Sequence, residues 1–355
     1  MMEESALVLV SGASGFVACH VVQQLQQAGY RVRGTVRSLT NEAKCQPLRE
    51  LCPDAAHPIE LVEADLLDAE SWPKAVEGCT YVIHTASPFP AEAPKHEDEL
   101  IKPAVDGTLN VLRAAKEAKT IKRVVLTSSM VAVFGGDNGE HGVTYNETVF
   151  PDPKTRQNQS AYSKSKSMAE RAAWDFVKNA NFELAVVNPG FIIGPILSGS
   201  GDSTSVVLVR QLLQREMPMV PKVNVPCIDV RDVARAHVIC MTLPEAAGHR
   251  HCMVQNGLWF KEIALILEKE FKGQGYKVTN TEAPYFLLWL IARFNQQMKM
   301  ALSSVNAEPK YDMARMRQVL KIDPIPMEKS LVDMAYSSIE KGFVKKTPKY
   351  SGRRQ

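Results

Sequence analysis

The chain has 355 residues, 45% of them hydrophobic and 23% charged, with a formal net charge of +3 at pH 7. That length exceeds one minimal domain and suits a nucleotide-binding domain carrying a smaller companion, and the composition is that of a soluble globular protein with a large core. A net charge so near zero gives no reason to expect nucleic acid as a partner.

At the N-terminus, Glu3 and Glu4 precede a short apolar run. A secretory leader needs a basic start and a longer apolar stretch, so secretion is not expected. Ala6–Val10 reads as a first strand, and a helical pattern follows from Gly15 to Ala28 with Gly29 placed to end it. Further strands are expected at Arg31–Val36, Ile59–Ala64, Thr80–Thr85, Arg123–Ser128 and Glu183–Asn188, mostly with helical segments between them. That alternation predicts an α/β fold: a Rossmann-type, doubly wound parallel sheet covered on both faces.

After residue 190 the pattern changes. Helices are expected near Ser203–Glu216, Asp232–Leu243, Phe260–Phe271 and Glu328–Lys341, with few strands. Residues 1–190 therefore read as the dinucleotide-binding domain. Residues 191–345 read as a smaller, mostly helical substrate domain, some of whose segments return to the sheet, and residues 346–355 as a solvated, frayed basic tail. The longest apolar block, Tyr285–Ala292, is too short for a membrane span. Being apolar on all sides, it reads as a buried helix, a subunit contact or part of a substrate lid.

Between the first strand and the first helix lies Ser11-Gly-Ala-Ser-Gly-Phe-Val17. Glycine at 12 permits a tight turn, glycine at 15 lets the backbone approach a diphosphate, and Ala18 allows close packing of helix on sheet. The free amides at the helix start then bind phosphate, aided by the helix dipole. Gly12, Ser14, Gly15, Phe16 and Val17 are the expected cofactor contacts of this turn. The end of the second strand selects the cofactor, because an acid there suits the ribose hydroxyls of NAD and an arginine suits the extra phosphate of NADP. Here Arg37 stands at that end with Lys44 close behind, and no acid intervenes before Glu42. NADPH is expected. Asp65 and Leu66, after the third strand, lie where an adenine edge is read, although Asp65 would serve equally as a cap or turn residue.

Tyr162 and Lys166 are four residues apart on one helix face, continued by Ala169 and Ala173. A lysine ammonium beside a phenol favours the phenolate by proximity of charge. The preceding strand ends at Ser128-Ser129, and a serine there sits over the ligand crevice, able to hydrogen-bond a substrate oxygen.

Ser11-Gly-Ala-Ser-Gly-Phe-Val17, Val32-Arg-Gly-Thr-Val-Arg37, Val82-Ile-His-Thr-Ala-Ser-Pro88, Leu126-Thr-Ser-Ser129, Tyr162 with Lys166, Asn188-Pro-Gly190 and Asp229-Val-Arg-Asp-Val-Ala234 occur in this order. With that set the chain resembles the extended short-chain dehydrogenase/reductase superfamily. Within it the chain resembles the branch of dihydroflavonol 4-reductases, cinnamoyl-CoA reductases and fungal methylglyoxal/isovaleraldehyde reductases. The resemblance implies that Ser129, Tyr162 and Lys166 form a catalytic triad, with Lys166 also holding the nicotinamide ribose. It implies further that Arg37 and Lys44 hold the 2′-phosphate, Asp65 and Leu66 flank the adenine, Thr85 and Ala86 meet the linking ribose and phosphates, and Pro189 meets the nicotinamide. Hydride would pass from NADPH to a carbonyl carbon while Tyr162 protonates the oxygen. Val133-Phe134 stands where plant dihydroflavonol reductases usually carry a polar residue. That speaks against a flavonoid and for an apolar pocket lined by Phe134, with Ser87 also at the pocket.

The partner implied is a small carbonyl compound, acting on a monomer or homodimer. Seven cysteines, odd in number and without a C-x-x-C pair, fit reduced thiols and a cytoplasmic location. No metal is expected: His249-Arg-His-Cys252 has suggestive spacing but no second ligand cluster, and reads as a surface strand entry. Other readings on the same fold are a hydroxysteroid dehydrogenase, a nucleotide-sugar epimerase or dehydratase, and a non-catalytic NADPH-binding protein.

Overall fold

The computed structural model describes residues 6–88, 96–136, 139–153, 159–198, 201, 203–293 and 302–353. Seven strands form one sheet in which every adjacent pair is parallel. In chain order these strands are β1 (Leu7–Ser11), β2 (Arg31–Val36), β3 (Glu60–Glu63), β4 (Tyr81–His84), β5 (Arg123–Thr127), β7 (Glu183–Pro189) and β10 (Arg250–Met253). In space they run β10-β7-β5-β4-β1-β2-β3. The order reverses between β1 and β4, so the two connections leave in opposite directions and open a crevice at the strands' C-terminal ends.

Side chains of a strand alternate between faces, and here both faces are covered, which explains why these strands are apolar almost throughout. Val8, Val10, Val125, Ala185 and Val187 belong to the core beneath α1 (Phe16–Gln27) and α8 (Val230–Thr242). Leu7, Leu9, Val124, Leu126, Leu184 and Val186 belong to the opposite core, beneath α4 (Asp98–Ala118) and α6 (Ala161–Val177). α1 ends as expected: Gly29 adopts φ +84°, and its amide reaches the Gln26 carbonyl at 3.0 Å.

A third core lies beyond the strand ends, built from α7 (Thr204–Leu213), α9 (Phe260–Phe271), the helix Met327–Glu340 and the strands β8 (Phe191–Ile193) and β9 (Asn224–Asp229). β9 is central in a three-stranded sheet, parallel to β8 and antiparallel to β11 (Asn256–Trp259). The mostly helical region after β7 is thus interleaved with the main sheet, because α8 and β10 return to it.

Three expectations are corrected. The tail is tied down as far as Arg353, with Arg354 and Gln355 outside the described residues. Tyr350 lies edge-on to Tyr276 at 6.4 Å, Arg353 pairs with Asp333 at 2.7 Å, and the Tyr276 hydroxyl donates to the Lys345 carbonyl at 3.0 Å. His249–Cys252 is a strand entry only at its first residue: His249 is exposed and leads into the edge strand β10, where Arg250, His251 and Cys252 are buried. Of the readings of Tyr285–Ala292, the buried helix is set aside: the block forms helix α10, in which only Leu288 and Ala292 are buried and Phe286 is 71% exposed, while the subunit-contact and lid readings stand. An eight-residue helix that is apolar on every side cannot bury every side against one surface. Among the described residues, no helix is long and apolar enough to cross a membrane.

Four buried histidines carry a consequence for acid stability. Burial pushes His20 down to about 4, His84 to about 3, His237 to about 4 and His251 to about 4. The unfolded chain, with histidines near the usual ~6.5, takes up protons there that the folded chain refuses. Stability is therefore expected to fall as pH drops from about 6.5 towards 4, by on the order of several kcal/mol in total. Asp232, raised by burial to about 6, and Glu147, also raised by burial, work in the opposite sense but are two groups against four. Urea midpoints measured across this range check the sign, and a midpoint that rises on acidification would refute it.

Candidate active site

The turn between β1 and α1 opens the crevice. Gly12 has φ +63°, and a Cβ there would stand 3.0 Å from the Ala86 Cβ, so glycine is required for both conformation and space. The Gly12 amide donates to Thr35 Oγ1 at 2.9 Å, which fixes the turn on β2. Gly15 caps α1 and is exposed, while Ser14, Phe16 and Val17 are half-buried beside it. Cys19 is the first helix residue whose amide meets a carbonyl of the turn, that of Gly15 at 3.0 Å. The amides of residues 16–18 thus remain at the helix start, directed at the crevice. Buried Ala18 packs the helix close on the sheet.

Across the crevice, the segment after β4 is pinned to β1. Thr85 Oγ1 donates to the Ser11 carbonyl at 2.5 Å, and the Ala86 amide donates to Ser11 Oγ at 3.0 Å. Arg37 is exposed just beyond β2 and Lys44 half-buried in α2 (Glu42–Arg49); neither makes an ion pair among the described residues. Asp65 forms a turn, its Oδ1 accepting the Leu67 amide at 2.9 Å, while Leu66 reaches the crevice. Pro189 is buried at the end of β7, where its carbonyl accepts the Met130 amide at 2.9 Å.

Ser160 starts α6 by accepting the Ser163 amide at 3.1 Å, which places Tyr162 in the first turn and Lys166 in the second. Ala169 and Ala173, both buried, let α6 lie against its neighbours. The side chain of Ser129, which follows β5, lies close enough to Tyr162 to act on its phenol. Both Tyr162 and Lys166 are half-buried by area. Burial pushes the Tyr162 phenol up, opposed by the Ser129 side chain, and pushes the Lys166 ammonium down to about 8, opposed by the charge of Glu170. The expected lowering of the tyrosine by its lysine is therefore not what governs it: in this structure desolvation outweighs the opposing influence, and that influence comes from the serine.

Beside Lys166 the crevice is lined by Leu66, Ala86, Ser87, Ser128 and Glu170. The structure thus brings Ser87 to the crevice but not Phe134. That side chain is 1% exposed, packed edge-on against Tyr145 at 4.9 Å and near Tyr311 at 6.2 Å. It belongs to α5 (Val131–Phe134), whose short turn directs it into the core. The contrast with the plant enzymes at this position therefore carries no information about pocket polarity.

Sequence reasoning missed Glu170. Its carboxylate is fully buried one turn beyond Lys166, and it accepts from Ser128 Oγ at 2.5 Å, Asn188 Nδ2 at 2.8 Å and Arg250 Nε at 2.5 Å. The signal was available in part, since Glu170 continues the face of Tyr162 and Lys166 at the same four-residue step.

The NAD dependent epimerase/dehydratase family matches residues 8–254. Cinnamoyl-CoA reductase CAD2 of Medicago truncatula is 37% identical over 74% of this chain and 80% of its own length. The bifunctional dihydroflavonol 4-reductase/flavanone 4-reductase of Malus domestica is 30% identical over 93% of this chain and 96% of its own. Yeast methylglyoxal/isovaleraldehyde reductase Gre2, solved in complex with NADPH, superposes with a TM-score of 0.77 at 26% identity, covering 94% of this chain and 98% of that one. Matched over most of its length and carrying the glycine turn on a parallel sheet, this chain belongs to the NAD-dependent epimerase/dehydratase family.

Proposed function

We propose that this protein reduces an aldehyde or ketone to an alcohol with NADPH, Tyr162 giving the proton to the carbonyl oxygen. Its family and its reductase relatives make it an NADP-dependent oxidoreductase. The observation that carries the finer reading is Tyr162 beside Ser129, with Lys166 one turn further along α6, at the crevice where the strand order reverses.

The residues fit the cofactor: Gly12 and Gly15 leave a cradle that a Cβ would narrow, and Arg37 stands exposed without an ion pair among the described residues. Gly12, Ser14, Gly15, Phe16 and Val17 would hold the diphosphate, Arg37 and Lys44 the 2′-phosphate, Asp65 and Leu66 the adenine. Thr85, Ala86 and Pro189 would complete the cleft. When bound, the cofactor supplies the hydride for the carbonyl carbon. Ser129 and Tyr162 hold the carbonyl oxygen, so negative charge developing there is met by two donors. A phenol pushed up by burial remains protonated at neutral pH, the form a proton donor needs in the direction of reduction. The Lys166 ammonium stabilises the phenolate that remains and binds the nicotinamide ribose.

The first test is NADPH oxidation by the purified protein across aldehydes, α-dicarbonyls and cyclic ketones, with NADH alongside. Turnover with NADPH on some of them is expected. Tight NADPH binding with no turnover on any would overturn the reductase reading.

The lysine adds a pH dependence. With Lys166 near 8, its charge is present below that value and lost above it, so kcat/KM for reduction is expected to fall above pH ~8. Lys166→Arg should move that limb upward, since a guanidinium keeps its charge. A limb left in place by this variant would assign it to another group.

A further inference from the structure

We propose that Glu170, clamped by Arg250, is a positioning residue for the reaction, fixing the helix that carries Lys166 against the Ser128–Ser129 segment. The inference rests on the roles given above to Ser129, Tyr162 and Lys166.

Every lone pair of this carboxylate is committed. Oε1 accepts from Arg250 Nε at 2.5 Å and from Trp174 Nε1 at 3.3 Å. Oε2 accepts from Ser128 Oγ at 2.5 Å, Asn188 Nδ2 at 2.8 Å and Arg250 Nη2 at 3.2 Å. The same Asn188 amide donates to the Ser129 carbonyl at 3.2 Å. One buried charge thus ties α6 to the ends of β5 and β7 and to the edge strand β10. Arg250 is fixed in turn, donating to the Val149 carbonyl at 2.7 Å with its guanidinium 4.1 Å from the Phe150 ring centroid.

A buried ion pair alone is weak evidence for more than a structural role, because well-packed apolar residues often serve as well. Location distinguishes this one. Glu170 lines the same crevice as Lys166 and stands one helical turn from it, while Arg250 approaches the carboxylate from β10. Among the described residues, the titratable groups near Lys166 are Tyr162 and Glu170 on its own helix and His84 at the end of β4. α4 contributes only Ala104 and Thr108 to this crevice. His84 is pushed down by burial, so the charge that favours the Lys166 ammonium, against its burial, is that of Glu170.

The test is the pH profile of kcat/KM, measured with NADPH and whichever aldehyde or α-dicarbonyl is turned over fastest. Glu170→Gln keeps the shape and removes the charge. Its alkaline limb is expected to move down by about one pH unit, with kcat lowered about 10-fold and the KM for NADPH little changed. Should that variant not fold, Glu170→Gln/Arg250→Met removes both buried charges together, and a smaller downward displacement is expected, because the cation facing the carboxylate goes with it. A role confined to stability would lower the thermal midpoint and leave the limb where it is; a stationary limb in the variant that folds overturns the proposal. Full turnover in Tyr162→Phe would instead sink the underlying reading, so the two failures are told apart.

Discussion

Replacing Tyr162 by phenylalanine is expected to lower the turnover of carbonyl reduction by about 10²–10⁴-fold, the range attributable to a positioned proton donor. The variant removes one hydroxyl, keeps the ring, and leaves untouched the glycine turn and Arg37, so NADPH affinity should change by less than about threefold. Folding should also survive. Tyr162 is half-buried in the first turn of α6, and that helix is started by the Ser160 cap and held by Ala169, Glu170 and Ala173. Ser129 loses the neighbouring hydroxyl, and the crevice allows water to replace it. Fluorescence titration with NADPH beside single-turnover kinetics separates the two effects. Equal loss of binding and turnover would mean that the hydroxyl shapes the cofactor cleft and is not the acid. Unchanged turnover would remove Tyr162 from the chemistry altogether.

How much of this was legible beforehand depended on how local the signal was. The strands β1, β2, β4, β5 and β7 are short, mostly apolar runs bounded by turn residues, and α1 and α6 begin at Gly15 and Ser160, where glycine or serine can cap them. Each is specified within a dozen residues. The Tyr162–Lys166 spacing is likewise a property of one helix. What could not be read were partnerships across long separations. Arg250 meets Glu170 from 80 positions away, and in sequence it sits in a histidine-rich stretch that suggested something else. Arg353 reaches Asp333, and Tyr350 is flanked by Tyr276 and Tyr336, so a run that looked like a solvated tail is anchored by contacts no periodicity announces. β9 was hidden by Pro226, which argues locally against a strand; it is accommodated in a short sheet where Gly190 lets the backbone approach the Pro226 carbonyl. Phe134 shows a different limit. An apolar residue close to a reacting group is equally a pocket wall or a core anchor, and only the direction of its short helix decides.

Cofactor choice should respond as sharply as turnover, and at a single exposed position. Arg37→Ser is expected to weaken NADPH binding by about 10–100-fold, the worth of charge-assisted hydrogen bonds to one phosphate, while leaving NADH nearly unaffected. The geometry makes this a selective loss. Arg37 projects just beyond β2, and among the described residues it makes no ion pair that its removal would orphan. The acid at the end of the neighbouring strand, Glu63, is occupied in accepting the Leu39 amide at 2.7 Å, which keeps this rim open to an anion. Lys44 offers a second, less directional charge, so Arg37→Ser/Lys44→Ala should deepen the loss for NADPH and still spare NADH. Both effects should shrink at high salt, because the rim is exposed and its charges are screened beyond about 8–10 Å. Comparing the two cofactors in each variant at low and high ionic strength therefore tests the assignment twice. Equal weakening of both would place Arg37 in the architecture of the turn, and a native preference for NADH would show that a different group reads the ribose.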